Sequence, residues 1–337
     1  MKATIYDIAR EAGVSIATVS KVINGKGKIS EDRRKEITAI MDRLNYQPSV
    51  IASALTGKHT FTIGLLIPDI SNPFFAEVAR AVEDRGHQLG YSVIICSTDN
   101  KDERVERYIS LLKQKRVDGV IIGTGIDNKD ILRKLNAGVP VVVIGREVPA
   151  VSVHTVVADD WFGGTTAAAH LLELGHTKLA VLSENIMISS SRERIRGFKQ
   201  MLEEAGIDLP EDNILTCNNR MEDGKRLAME LLRRPERPTA LFCCNDLLAV
   251  GALQAAKEAG IDVPEQLSII SFDNTILAQV TDPQLTSVAQ PMEQLGAVAV
   301  DLLLKEFEEK QEVKQRITLR TELIIRKSTS ALNLENK

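Results

Sequence analysis

The sequence is sparing with several kinds of residue, and each scarcity closes off a class of protein. Among 337 residues there are four cysteines, five histidines and one tryptophan, and aromatic residues make up 4%. Cys96, Cys217, Cys243 and Cys244 lie in or beside apolar strand-like runs, at spacings that match no metal site. They read as reduced, mostly buried thiols of a cytosolic protein, with adjacent Cys243 and Cys244 on opposite faces of a strand. His59, His87, His154, His170 and His176 form no metal-ligand pair. No apolar run approaches membrane-spanning length, and Asp7, Arg10 and Glu11 interrupt any apolar leader. The expected location is therefore the cytoplasm, with no membrane contact. No nucleophile elbow or phosphate-binding loop is present, and Gly123-Thr124-Gly125 lacks the third glycine of a dinucleotide fingerprint. The reading is of a protein without catalytic residues, metal or cofactor.

What is present is unevenly placed. Residues 1–60 carry ten Lys and Arg against six Asp and Glu, a net +4, whereas the remainder carries 32 against 40, a net −8. A basic head on an acidic body fits a nucleic-acid-binding module attached to something else. The length suggests two or three compact units, and 44% hydrophobic with 26% charged residues allows a sizeable core.

The head reads as short helices. Thr4 can cap the first, with Asp7 closing a capping box, and Ile5, Ile8, Ala9 and Ala12 recur at helical spacing. Gly13 ends that helix where φ > 0 is needed. Ser15 caps a second helix whose Val19, Val22 and Ile23 pack back on the first, small Ala9 allowing close approach. Its exposed face would carry Ile16, Ala17, Ser20 and Lys21. This is the helix-turn-helix design, in which the second helix enters the DNA major groove. Lys21 can donate to guanine acceptors or phosphate; Ile16 and Ala17 offer only apolar contact. Ser30 caps a third helix running to about Leu44.

Between Pro48 and Gly57 fewer than ten residues could be helical, a length marginal alone in water, and Val50, Ile51, Ala54 and Leu55 would be stranded without a partner surface. The helix-turn-helix, Tyr46-Gln-Pro48, this small-residue hinge and Ile63-Gly-Leu-Leu-Ile-Pro-Asp-Ile-Ser-Asn-Pro-Phe-Phe75 follow in order. In this the chain resembles the LacI/GalR family of bacterial repressors, from about Thr4 to Arg326. The resemblance implies a homodimer on a near-palindromic double-stranded operator. It assigns DNA contacts to Thr4, Tyr6, Ser15, Ile16, Ala17, Thr18, Ser20, Lys21 and Asn24. Paired hinge helices would enter the minor groove, with Leu55 wedging the central base step.

The body reads independently as α/β. Strand-like runs at 61–67, 92–98, 118–123, 140–145, 155–159, 178–183, 238–244 and 268–272 alternate with helical patterns, the pattern of doubly wound parallel sheets. The expected organisation is a helix-turn-helix domain at 1–47, a hinge at 48–60 and two lobes, with a flexible tail at 331–337. The first lobe takes 61–160 with 292–318, and the second 161–291 with 319–330. The crossing of 292–307 and 319–326 between lobes is what the resemblance to periplasmic-binding-protein-like sensor cores implies.

Ligands in parallel sheets bind at the carboxyl ends of strands. Those ends supply Asp69, Asn72 to Phe75, Arg146, Asp159-Asp160, Asn245-Asp246 and Asp273-Asn274, with the Arg192–Arg196 cluster nearby. Such groups suit a small polar ligand between two lobes, although Asn and Asp there would also be good helix caps. By resemblance, Arg194, Asn245 and Asp273 hold the effector, Phe74 and Phe75 form the lip of the cleft, and Asp160 lies near the ligand. Two departures stand out. Gly145 followed by Arg146 replaces an acidic residue common in relatives, and Asn219 stands where several have an aromatic. Arg146 either selects an anionic effector, such as a sugar phosphate or sugar acid, or turns outward to pair with Glu147. The regulation is by that ligand or, alternatively, by a phosphorylated carrier protein on the outer face of the first lobe.

Overall fold

The structure is a computed structural model and describes residues 3–23, 27–46, 59–148, 151–308 and 313–332. Asn24, Leu55, nearly all of the expected hinge and residues 333–337 lie outside the described residues. The chain divides into two compact units, Met1–Thr60 and Phe61–Lys337.

The first unit holds α1 (Ile5–Glu11), α2 (Ile16–Ile23) and α3 (Glu31–Arg43). Both halves of the Thr4–Asp7 capping box form. Gly13 takes φ +60°, and Ser15 Oγ accepts the Thr18 amide at 3.2 Å. Ile8, Ala9, Ala12, Val19, Val22, Ile37 and Ile40 make one buried cluster. Ser30 stands at the start of α3 but makes no capping bond with its side chain. Glu31 and Asp32 in the first turn supply negative charge to that helix end instead.

The second unit contains two six-stranded sheets. The first follows the order β11-β5-β4-β3-β1-β2, all parallel. Its strands are β1 (Thr62–Ile67), β2 (Ser92–Ser97), β3 (Gly119–Ile122), β4 (Val141–Ile144), β5 (His154–Ala158) and β11 (Arg316–Leu319). Helices α4 (Pro73–Gln88) and α12 (Met292–Glu308) cover one face, and α5 (Asp102–Gln114) and α6 (Lys129–Asn136) the other. Alternate residues divide between the faces: Ile63, Leu65 and Ile67 go to one cluster and Leu66 to the other. A strand buried on both sides has no polar face, which is why these runs read as continuously apolar.

The second sheet has the order β12-β10-β9-β8-β6-β7, with β12 antiparallel at its edge. Its strands are β6 (Leu179–Glu184), β7 (Ile214–Cys217), β8 (Ala240–Cys243), β9 (Ser268–Asp273), β10 (Thr286–Ala289) and β12 (Glu322–Ile324). Helices α7 (Asp160–Glu173) and α8 (Ser189–Glu204) pack on one face. On the other lie α9 (Met221–Leu232) and α10 (Asp246–Ala259), and short α11 (Ile276–Val280) follows β9. Cys243 and Cys244 fall in opposite clusters, and all four cysteines are free. The run expected as one strand over 319–326 breaks at Arg320-Thr321, so that β11 finishes the first sheet and β12 the second.

Helices α7 and α8 cross with almost no space between their backbones. A Cβ on Gly164 would stand 2.1 Å from the Arg194 carbonyl oxygen, and one on Gly197 2.1 Å from that of Trp161. Each helix thus presents its glycine to the backbone of the other.

The segment after β12 is stitched onto the second lobe by buried hydroxyls and imidazoles. The two ring nitrogens of His176 meet Thr239 Oγ1 and Ser268 Oγ, both at 3.0 Å. His170 Nε2 lies 3.0 Å from Thr329 Oγ1, and the Leu332 amide donates to Leu174 O at 2.8 Å. Burial pushes both imidazoles below their ordinary value. The folded protein then binds fewer protons than the unfolded chain just below that value, about 6.5. Their contribution is full above it and is lost as pH falls toward the folded value. Thermal unfolding across pH 5–8 should show this: His176→Gln should lower the melting temperature near neutrality and reduce its further fall in acid. Parallel wild-type and variant profiles would contradict the assignment.

Candidate functional site

In the head, the outward face of α2 is made by Ile16, Ala17 and Lys21, all exposed, with Ser20 and Thr18 half-buried beside them. Thr18 Oγ1 lies 2.9 Å from Ser15 Oγ, so the start of the helix is pre-arranged. Tyr6 is 68% exposed on α1, while Thr4 is engaged in its capping box. A face of one cation, one methyl and one branched aliphatic group can meet phosphate or guanine and thymine methyls.

In the core, the structure separates the expected ligand residues into two groups. Arg194 of α8 centres the first. Its Nε donates to Asp160 Oδ1 at 2.8 Å, NH1 donates to the Cys244 carbonyl and lies 3.5 Å from Asp273 Oδ1, and the guanidinium sits 3.7 Å above the Phe272 ring. Arg194, Asp160, Asp273 and Asn245 are all buried. Burial raises both carboxyls, Asp273 more strongly, and Arg194 draws them back; burial also opposes the Arg194 charge, but Asp160 and Asp273 outweigh it. Asp273 adopts φ +106°, a costly backbone held by these partners. Asn245 caps α10, its Oδ1 accepting the Leu248 amide at 2.9 Å. Asp246 is occupied by Ser271, Thr275 and Ser287.

The second group lines an open cleft of about 650 Å³ between the carboxyl ends of the two sheets. Asn72, Phe75, Arg146 and Asn219 face it, together with Asp69, Asn100 and Glu184. Asn72 also caps α4 through Phe74 N at 3.0 Å. Phe74 packs on the lobe core, edge-on to Phe75 at 5.0 Å, and is not part of the cleft lining.

Arg146 does not turn outward to Glu147. Glu147 Oε1 accepts from Arg316 Nε at 2.6 Å, and its backbone amide donates to Ser189 Oγ at 2.9 Å, tying the lobes together. Arg146 instead faces the cleft, its Nε buried without a hydrogen-bond partner. Burial lowers its pKa, and the charges of Glu184 and Asp127 partly restore it.

Two residues escaped the sequence reading. Glu184 ends β6 and was available to the strand-end rule. Gln290 follows β10, a strand with no apolar signal, and its Nε2 donates to Asp273 Oδ1 at 2.6 Å. Among the described residues, no cluster of His, Cys, Asp and Glu could hold a metal. No described helix is long and apolar enough to cross a membrane.

Residues 60–327 match the family model for periplasmic binding proteins and the sugar binding domain of the LacI family. Residues 4–49 match that for bacterial regulatory proteins of the lacI family. The chain is 46% identical over 337 residues to the HTH-type transcriptional regulator DegA of Bacillus subtilis, covering 99% of this chain and 100% of that one. It is 36% identical to the HTH-type transcriptional repressor PurR of Photobacterium profundum, covering 98% and 100%. It is also similar to the crystal structure of the lac repressor dimer bound to operator and the anti-inducer ONPF, with a TM-score of 0.88 and 29% identity. That match covers 98% of this chain and 100% of that one.

Proposed function

The chain belongs to the LacI family of bacterial regulatory proteins, DNA-binding transcriptional repressors with a ligand-binding domain, and we propose that it works as a homodimer whose operator affinity is set by a small polar ligand. Each head would read half of a near-palindromic site, two-fold protein symmetry being mirrored in the DNA. The observation that carries the reading is the pairing of an exposed recognition face on α2 with a polar cleft at the carboxyl ends of two parallel sheets. A ligand bound in that cleft changes the DNA response only through different affinities for the two states of the dimer.

Regulation by a phosphorylated carrier protein would require uncommitted cations on the outer face of the first lobe. On α4, Arg80 is paired with Asp84 at 2.8 Å and Arg85 with Asp301 at 2.8 Å, so neither arginine of that helix is uncommitted. The small ligand would bring an anionic group to Arg146.

The test is to select operators from a random DNA pool, then to screen small metabolites for those that shift binding. Recovery of no preferred sequence would sink the proposal. Lys21→Ala should weaken binding to the selected site by about 1–3 kcal/mol if Lys21 reads a base edge. If it touches phosphate alone, the loss should be uniform across sequences, with a shallower salt dependence. Unchanged affinity on every sequence would remove Lys21 from the interface.

A further inference from the structure

We propose that the cleft is built for a small zwitterion, its anionic group held by Arg146 of the first lobe and its ammonium by Glu184 and Asn219 of the second. The inference rests on the reading that a small molecule in this cleft regulates the protein.

Two buried polar atoms on residues of the cleft wall have no hydrogen-bond partner: Arg146 Nε and Asn219 Oδ1. The first can only donate and the second only accept, so together they ask for a ligand with an acceptor at one end and a donor at the other. Leaving either empty in a closed cleft is costly. The charges have the same arrangement. Arg146 follows β4 of the first sheet and Glu184 ends β6 of the second, so the two face the same cleft from opposite lobes. Each is felt by the other, yet no ion pair or hydrogen bond joins them. Asn219 donates to Glu184, and its own oxygen is left buried without a donor.

Of the other acids on the wall, Glu222 is exposed to solvent in the first turn of α9, and two are engaged. Asp99 is paired with Arg104 at 2.6 Å, and Asp69 is bonded to Ser71. Glu184 is therefore the unengaged carboxylate that is shielded from solvent on this wall and placed to answer a cation.

Ligand classes separate on this geometry. An anion without a cation would sit beside Arg146 but bring like charge toward Glu184. A neutral polyol could fill both hydrogen bonds but would leave a guanidinium and a carboxylate desolvated and apart as the lobes close. A zwitterion neutralises both and satisfies both orphaned atoms. Glu184 disfavours hydroxy acids, and Arg146 disfavours amines. The cleft volume of about 650 Å³ accommodates a compound of amino-acid size.

The full-length protein should be titrated by calorimetry with matched probes. These are the α-amino acids, β-alanine and 4-aminobutyrate, their hydroxy-acid and amino-alcohol counterparts, and neutral ribose and cellobiose. At least one zwitterion should bind at least about tenfold more tightly than both of its counterparts. Glu184→Gln should close the gap to the hydroxy acid, and Arg146→Gln the gap to the amino alcohol. Thermal unfolding of each variant checks that its lobes remain intact. The proposal is overturned if no zwitterion binds, if a sugar or hydroxy acid binds at least as well as every zwitterion, or if neither substitution moves the discrimination. The regulatory reading fails separately, if no probe of any class changes retention of the selected operator. A neutral sugar that releases operator would thus uphold regulation by the cleft while refuting the zwitterion.

Discussion

Arg194→Ala is expected to cost the core about 3–5 kcal/mol, the range for removing one partner from a buried ion pair. The guanidinium neutralises Asp160 at 2.8 Å, approaches Asp273 at 3.5 Å and lies on the Phe272 ring. Its removal leaves two carboxylates in the same dry region and strips a hydrogen bond from the Cys244 carbonyl. Equilibrium unfolding in urea would measure the loss. A double variant, Arg194→Ala with Asp160→Asn, should recover part of it, because one of the stranded charges is gone. The pH dependence has a definite sign. A stranded buried carboxyl keeps its proton in the folded state where the unfolded one has already ionised, so the deficit should shrink as pH falls toward the carboxylate range. A loss below about 1 kcal/mol with no recovery in the double variant would show Arg194 to be dispensable for the fold. The same substitution should abolish the response to ligand, since it dissolves the connection between α7, α8 and the end of β9.

Gly197→Ala should be nearly as damaging, at or above the upper end of the ~1–3 kcal/mol usual for overpacking. The obstacle is the Trp161 carbonyl, 2.1 Å from the new methyl, and backbone cannot swing aside as a flexible side chain can. Helices α7 and α8 must separate, and with them Asp160 and Arg194, which lie on opposite sides of the crossing. Gly164→Ala should behave alike, meeting the Arg194 carbonyl. Gly138→Ala is the control, because its nearest heavy atom is 3.9 Å away. If Gly197→Ala and Gly138→Ala unfold at the same urea concentration, the close crossing is not maintained in solution.

The alternating strands and helices of the core were legible because apolar runs and helical periodicity coincide with burial there. Besides the displaced β11, two strands were not. β10 is Thr286-Ser-Val-Ala289, whose buried hydroxyls hide it from any search for apolar runs. Their partners, Arg326, Thr329, Asn274 and Asp246, come from distant parts of the chain. β7 is a four-residue edge strand with no fully buried residue, so it carries no strong pattern. For the ligand residues, the strand-end rule located positions but not orientations. Asn245 and Arg194 proved to be packed into the lobe, whereas Arg146 and Asn219 face open space, a difference set by tertiary neighbours. Glu184 was within reach of the same rule; its meaning depended on Arg146 standing opposite, which no local pattern encodes.

The break at Arg320-Thr321 has a consequence for synthesis. Both sheets receive an edge strand from residues 316–324, so a nascent chain that ends between Ala289 and Arg316 leaves β5 and β10, both paired on that side in the finished protein, as open edges. Such edges invite pairing with other chains. A ribosome stalled before codon 316 would therefore release a product with two adhesive seams instead of one finished lobe and one missing lobe. Frameshifts and early stops near the end of the reading frame should accordingly yield aggregates or degradation products. Partially active, ligand-blind repressors should not accumulate from them.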